Sequence, residues 1–509
     1  MSYVTDYVIG YRKTMHLTKT DFKEYLLCSH SFWFQKKRPD EYVPGEFSLF
    51  LKKLIEDGYE VERYVRTMFP DGVLLEGDRA TLISKTKELV QEEQTLFQAT
   101  FQTEEGLFAQ IDVLRFNNET KKWDIYEVKA SSEIKTDIKH NHIKDIGFQA
   151  LVVQKSLGAV GESSIIYINK EYRRQGAIDT EKLFIIENVS ERVAKQNKDL
   201  LGEVEQALAL LAIDDLPLES CECFYKSAGQ HCDSFAVFNR AVPDYSVHHV
   251  VTGKKLHQLL LTGVVHIEDI PGDFPLTDIQ RAKVDLQKNG EPLIEQLAIR
   301  DTLSRLTFPL YFLDYETYGT PIPILDGYKT NQQIVFQVSL HVLRESGDLE
   351  HYEYLAPALD GATLGLVTFL REHVDAPGSI IVWYESFEKA RNRELGELHP
   401  PYREFLLTLN ERIFDLMKFF KKEYLHPEFQ GSASIKNVLP VLLPELTYKT
   451  LDIQNGTMAL SEWEKIIKGQ VKGAEAETVK HNLLQYCCRD TYAMVEIYRF
   501  LKKLTHRDS

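Results

Sequence analysis

The apolar run Leu310-Tyr311-Phe312-Leu313 leads directly into Asp314-Tyr315-Glu316. Such a run reads as a buried strand, and along a strand residues 314 and 316 point to one face. A buried strand ending in two carboxylates must sit where other parts of the chain can meet those charges. Near the C-terminus, Tyr486 and Asp490 stand at i and i+4, on one face of a helix. In the first third, Gln110-Ile111-Asp112-Val113-Leu114 is followed by Ile125-Tyr126-Glu127-Val128-Lys129. Glu127 and Lys129, two residues apart on a strand, share a face of the sheet.

Carboxylates gathered in this way suit Mg²⁺ or Mn²⁺ held against a phosphodiester. The pattern occurs twice, once in each half. A chain of 509 residues is too long for one core, and two to four domains are expected. The runs 96–103, 107–116 and 123–129 read as strands separated by turn residues, and 138–157 and 190–213 read as helices. An aromatic-rich helix is expected over 17–35, with Thr18 or Thr20 as its N-cap. In the second half, strands are expected over 333–343, 349–355 and 380–384, with a helix over 364–373 and mostly helices thereafter. Strand and helix alternate in both halves, so the fold class is α/β, in two domains. The boundaries read as 1–235, a polar helical connector over 236–306, and 307–509.

Hydrophobic content of 43% and charged content of 27% are ordinary globular values. No apolar run is long enough to span a bilayer, and Met1-Ser2-Tyr3-Val4-Thr5-Asp6 has no signal-peptide pattern. A cytoplasmic protein without membrane partners is the expectation. The net charge of −16 argues against a passive nucleic-acid coat, which would be basic. It does not argue against a nuclease, whose metal-binding carboxylates add negative charge. Local basic groups exist at Lys135, Lys139, His140 and Lys144, and again at Lys418, Lys421 and Lys422.

The first acidic group, Asp112 with Glu127-Val128-Lys129, resembles the PD-(D/E)XK nucleases, which have a restriction-endonuclease-like fold. The resemblance implies that Asp112 and Glu127 hold a metal ion and that Lys129 positions or polarises water. Gln149, on the following helix, matches the glutamine of the RecB-like branch, although the tyrosine that often follows it there is missing. Where iron–sulfur members of that branch place a histidine on an upstream helix, this chain offers Glu62. Thr18-Lys19-Thr20-Asp21-Phe22, with Tyr25, Cys28 and Trp33, is similar to the N-terminal signature of CRISPR-associated RecB-like nucleases.

Of the six cysteines, Cys28 stands early, while Cys221, Cys223 and Cys232 crowd together much later. In a reducing compartment this spacing points to a metal site before a disulfide. The resemblance implies a [4Fe–4S] cluster on these four, with Zn²⁺ the alternative because four thiolates suit both. Such a site would staple the start of the domain to its end.

The second acidic group resembles the DEDD exonucleases, an RNase H-like fold. The Tyr-x-x-x-Asp spacing of Tyr486 and Asp490 places the resemblance in the DEDDy group. It implies that Asp314, Glu316 and Asp490 hold two metal ions and that Tyr486 orients water. The middle acidic residue falls on Glu388, a glutamate where the family has aspartate; Asp415 is a second-shell or alternate ligand. Lys436, after Gly431-Ser432-Ala433-Ser434, is a candidate phosphate contact, or Ser432 or Ser434 simply caps a helix there. The second half is also similar to an uncharacterised bacterial domain found downstream of RecB-like nucleases. Together these resemblances imply a metal-dependent nuclease with a PD-(D/E)XK site and a 3′–5′ exonuclease site, in repair or mobile-element defence. DNA is expected ahead of RNA as partner. The alternative is a nucleic-acid-binding scaffold with one or both sites inactive. The oligomeric state stays open.

Overall fold

The computed structural model describes residues 16–42 and 49–505. The segment 1–6, where no signal-peptide pattern is expected, lies outside those residues. The chain divides into two α/β units, one ending at Val242 and the other beginning at Pro243. No helix among the described residues is long and apolar enough to cross a membrane.

The first unit is built on a seven-stranded mixed sheet: β1 (Leu17–Thr18), β2 (Val73–Leu74), β3 (Leu96–Gln102), β4 (Leu107–Asn117), β5 (Lys122–Lys129), β6 (Val160–Ile168) and β7 (Phe184–Asn188). Strands β2 to β7 lie in chain order, and β1 pairs with β4. The hairpin β4–β5 is antiparallel, while β6 runs parallel to β5. A parallel neighbour needs a crossover, and helix His142–Leu157 supplies it. Its Ile146, Val152 and Val153 are buried in the core with Leu114, Ile125 and Ile165 from the sheet.

The helix expected over 17–35 is broken in two, Lys19–Leu27 and Ser29–Lys37. Cys28 between them is extended, with φ −160° and ψ 109°. Its thiol sits in a small separate core with Cys221, Cys223, Cys232, Trp33, Phe34 and Phe238. The first of the two helices is closed at its start by a capping box. Thr18 Oγ1 accepts the Asp21 N–H at 3.1 Å, and Asp21 Oδ2 accepts that of Thr18 at 2.9 Å. This places Lys19 at the first helical position, above the sheet.

The second unit holds a five-stranded mixed sheet made of β9 (Leu310–Gly319), β10 (Gln333–Leu343), β11 (Leu349–Leu355), β12 (Ile380–Val382) and β13 (Ile413–Asp415), in the order β11-β10-β9-β12-β13. β9, β12 and β13 are parallel. Two short strands, β8 (Leu293–Ile294) and β14 (Tyr424–Leu425), pair separately. Residues 243–306, read from sequence as a connector, therefore belong to this unit, and Ile299 is part of its core.

Alternation along β9 sorts its side chains. Phe312 joins a core layer with Trp463, Met494, Ile497 and Tyr498, whereas Tyr311, Leu313 and Tyr315 join the opposite layer with Leu366, Leu370 and Leu406. Asp314 and Glu316 share the parity of Phe312 and face the layer containing helix Gly473–Leu504. That helix carries Asp490.

Candidate metal centres

The most concentrated acidic site lies in the second unit. Asp314, Glu316 and Asp490 bring ligand oxygens within 4.8 Å of one another. Asp415 ends β13, and Glu388 lies in the first turn of the helix that follows β12. The group thus sits at the carboxyl ends of the parallel strands, where open α/β sheets bind their ligands. Glu388 is 2% exposed, and its Oε2 is buried with no hydrogen-bond partner. Asp415 Oδ1 accepts the backbone N–H groups of Tyr384 at 3.0 Å and Met417 at 3.1 Å. It holds the turn that feeds Glu388 into the site. Tyr384, in that turn, has φ +95°, a strained conformation of the kind that functional sites retain.

Electrostatically the group is unbalanced. Burial raises Asp314 well above the usual carboxylate range, and the Asp490 charge adds to it. Glu316 is raised by burial and by both aspartates. Burial lifts Glu388 to about 9, with Asp314 next in weight, and lifts Asp490 to about 6. Lys436 lies close enough for its charge to oppose the rise at Glu316 and Asp490. It sits in the first turn of helix Ile435–Leu442, whose N-cap Ser434 makes no side-chain capping bond. Tyr448 Oη donates to Asp490 Oδ1 at 2.5 Å, and Tyr486 is within hydrogen-bonding reach of the same carboxylate. Cys487 Sγ approaches Asp314 Oδ2 at 3.6 Å. Sequence reasoning missed Tyr448, which lies in a loop far from every motif.

These directions carry a pH consequence. A carboxyl raised in the folded state binds its proton more tightly there, so folding loses stability as pH rises towards the raised value. A cation that replaces those protons offsets the loss. The rise in melting temperature caused by Mn²⁺ is therefore expected to grow from pH 6 to pH 9, the window spanned by Asp490 and Glu388. Thermal denaturation at matched free Mn²⁺ checks this, and a shift that is flat with pH would count against cation binding here.

The acidic group of the first unit has a different character. Val113 pairs with Tyr126, which brings Asp112 and Glu127 together one step further along. Asp112 Oδ2 accepts the Val128 N–H at 2.8 Å. Two ammonium groups meet Glu127 Oε1, Lys129 at 2.6 Å and Lys19 at 2.8 Å. Gln149 Nε2 donates to Glu127 Oε2 at 2.6 Å. A further carboxylate, Asp145, takes Lys129 at 2.6 Å and Gln149 at 3.2 Å. Burial opposes ionisation of Glu127, but Lys129 and Lys19 together hold it below the usual range. Asp112 is raised by burial and by Glu127. Glu62 is raised by the same two causes, to about 7.

Glu62 Oε2 accepts the side-chain amide of Gln98 at 2.9 Å. Gln98 is a strand residue with φ +61°, lying between register pairs that set it opposite Asp112. Sequence reasoning missed Lys19, Asp145 and Gln98 as site residues. Asp145 had a signal, since it precedes Gln149 by one helical turn; Gln98 had none.

Because Lys129 balances two buried carboxylates, Lys129→Met is expected to cost ~3 kcal/mol of stability, as when a buried pair loses one partner. Glu127 has a lowered value when folded, so its contribution is present above the ordinary carboxylate range and lost as pH falls through the folded value. The penalty of Lys129→Met should therefore shrink in acid. Urea denaturation at pH 7 and pH 3 measures both parts.

The four cysteines converge within the first unit. Their sulfurs all lie within 4.8 Å of one another, with Cys221 and Cys232 at 4.0 Å. Two N–H groups point at sulfur, Asn239 Nδ2 to Cys221 at 3.3 Å and the Ser31 amide to Cys28 at 3.5 Å. Hydrogen bonds from the other three thiols pull Cys221 below its ordinary value, while those contacts push Cys28 up. The cluster is buried and has the donor set of a metal site.

Residues 311–434 match a domain of unknown function, DUF2779. The match takes in Asp314, Glu316, Glu388 and Asp415 but ends before Lys436, Tyr486 and Asp490. Among curated proteins, the chain is similar to the uncharacterised protein UU173 of Ureaplasma parvum, 27% identical over 259 residues. It is also similar to the uncharacterised protein MG366 of Mycoplasma genitalium, 25% identical over 228 residues. These stretches cover 47% and 41% of this chain, but 37% and 34% of the two relatives. The chain thus spans little more than a third of the curated relatives it matches.

Proposed function

We propose that the protein is a metal-dependent nuclease whose principal site is the acidic group of the second unit. The observation that carries this reading is the convergence of Asp314, Glu316 and Asp490 within 4.8 Å, beside a buried Glu388 oxygen that has no partner. Buried carboxylates so crowded need protons or cations, and oxygen-only ligands favour Mg²⁺ or Mn²⁺. A pair of such ions would supply an activated water and stabilise the leaving oxygen of a phosphodiester. Asp314, Glu316, Asp490 and Glu388 would hold them, with Asp415 fixing the turn that presents Glu388. Tyr486 would orient the attacking water, Tyr448 would hold Asp490 in place, and Lys436 would meet phosphate. Apart from Tyr448, this is the arrangement that resemblance to the DEDDy exonucleases and their RNase H-like fold implies.

In the first unit, Asp112, Glu127, Lys129 and Gln149 support a PD-(D/E)XK site, with Glu62 as a further ligand. One contact favours a second reading for this unit alone, namely nucleic-acid binding without hydrolysis. Lys19 Nζ occupies Glu127 Oε1 at 2.8 Å, the oxygen a metal ion would need.

For the cysteine cluster, the spacing favours a single Zn²⁺. Tetrahedral zinc with Zn–S of about 2.3 Å sets sulfurs roughly 3.8 Å apart, close to the 4.0 Å between Cys221 and Cys232. In a [4Fe–4S] cube each sulfur binds a different iron, and the four must stand further apart.

The test uses the full chain with Mn²⁺ and end-labelled single- and double-stranded DNA and RNA, beside Asp314→Ala and Glu127→Ala. Loss with Asp314→Ala supports the principal site. Loss with Glu127→Ala assigns hydrolysis to the first unit as well. Activity untouched by either substitution rejects the nuclease reading.

A further inference from the structure

Beside the acidic site lies a group of side chains that the proposed hydrolysis does not use. His341 on β10 and His351 on β11 are direct cross-strand partners, with rings stacked 4.3 Å apart. Cys488, on the helix that carries Asp490, brings Sγ to 3.9 Å from His351 Nδ1. One ligand atom from each of the three lies within 4.8 Å of the others.

A chain of hydroxyls, Ser339 and Thr491, links one nitrogen of each ring. Thr491 Oγ1 lies 3.2 Å from the Cys488 carbonyl and 3.4 Å from that of Cys487, the two acceptors on its own helix. With its proton on either carbonyl, Thr491 Oγ1 accepts from Ser339 Oγ at 2.7 Å and from His341 Nδ1 at 2.8 Å. Ser339, its proton given to Thr491, accepts from His351 Nε2 at 3.0 Å. In that arrangement each neutral ring carries its proton on the nitrogen that meets a hydroxyl. The lone pairs remain on His341 Nε2 and His351 Nδ1. Metal-binding histidines are oriented by this kind of outer hydrogen bond. Burial first, then the neighbouring His351 and Arg499, holds His341 down to about 3, in the neutral form a metal requires. Burial also lowers His351.

We propose that His341, His351 and Cys488 form a zinc site, separate from the acidic group and from the four-cysteine cluster. Two imidazoles and one thiolate select Zn²⁺ over Mg²⁺ or Mn²⁺. Tetrahedral zinc sets nitrogen and sulfur about 3.5 Å apart, so the present 3.9 Å closes by a few tenths of an ångström. The Cys488 thiol proton leaves to solvent as the Zn–S bond forms. His351 is solvent-exposed and Cys488 half-buried, so water takes the fourth position. The ion ties β10 and β11 to the C-terminal helix two residues before Asp490.

The test compares the metal-stripped full chain with His351→Gln and Cys488→Ser. Each is dialysed against the same micromolar free Zn²⁺, and bound zinc per chain is counted. Each variant is expected to hold one equivalent fewer than the wild type, with the four-cysteine site common to all three. A second readout needs no variant. Zn²⁺, but not Mg²⁺, should slow alkylation of Cys488 in the wild type by roughly tenfold or more, because the metal-bound sulfur is withdrawn from attack. Equal zinc in all three proteins, or unchanged Cys488 alkylation on adding Zn²⁺, overturns the proposal.

Discussion

Asp314→Asn is expected to reduce Mn²⁺-dependent cleavage of labelled nucleic acid by about a thousandfold while leaving the fold at least as stable as before. The two effects have one cause. Asp314 is half-buried against Asp490 and lies near Glu316 and Glu388, so its charge strains the folded state and is useful only with a cation present. Losing a ligand forfeits several kcal/mol of transition-state charge stabilisation, and each ~1.4 kcal/mol is tenfold in rate. Removing the repulsion acts in the opposite direction on stability, the trade-off expected of an active site. Initial rates and thermal melting on the same preparation measure both. An inactive variant that also melts well below the wild type would point to a structural aspartate instead.

Cys28→Ser is expected to have the largest effect on stability, at least ~3 kcal/mol, together with loss of the bound metal. The four thiolates join the start of the first unit, through Cys28, to its last segment, through Cys221, Cys223 and Cys232. Closing a long loop removes much entropy from the unfolded chain, and folding is coupled to metal binding at such sites. The small core around them, with Trp33, Phe34 and Phe238, is supported by polar contacts such as Lys226 Nζ to the Leu27 carbonyl at 2.6 Å and His30 Nδ1 with Glu222 at 3.0 Å. Guanidinium denaturation with and without a strong chelator should show the wild type falling to the level of the variant. The same preparation fixes the metal, since a colourless wild type that loses one zinc on Cys28→Ser supports the mononuclear site, whereas four irons with visible absorption support the cluster.

What could be read in the sequence follows the range of the interactions. Asp112, Glu127 and Lys129 were legible because the β4–β5 hairpin is local and alternation assigns their faces. Asp314, Glu316 and Asp490 were legible because a strand and a long helix each carry a strong period. The break at Cys28 was not, because the helical pattern runs through it, and the extended residue is set by packing against a segment almost two hundred positions away (Cys28 to Cys221). Lys19, Gln98 and Tyr448 were missed for the same reason: each reaches its carboxylate from a distant part of the chain. The strand β13 is three residues long, too short for any period to show, yet it places Asp415. Residues 243–306 read as a polar connector because their helices bury only narrow apolar stripes, such as Val284 and Leu286 in Asp278–Asn289.

The most direct measurement is anomalous diffraction from crystals of the full chain soaked in Mn²⁺. The account predicts a manganese peak bounded by the carboxylates of Asp314, Glu316 and Asp490, with the Glu388 side chain turned towards it. Ordered carboxylates with no anomalous peak among them, at Mn²⁺ concentrations that support cleavage, would contradict it.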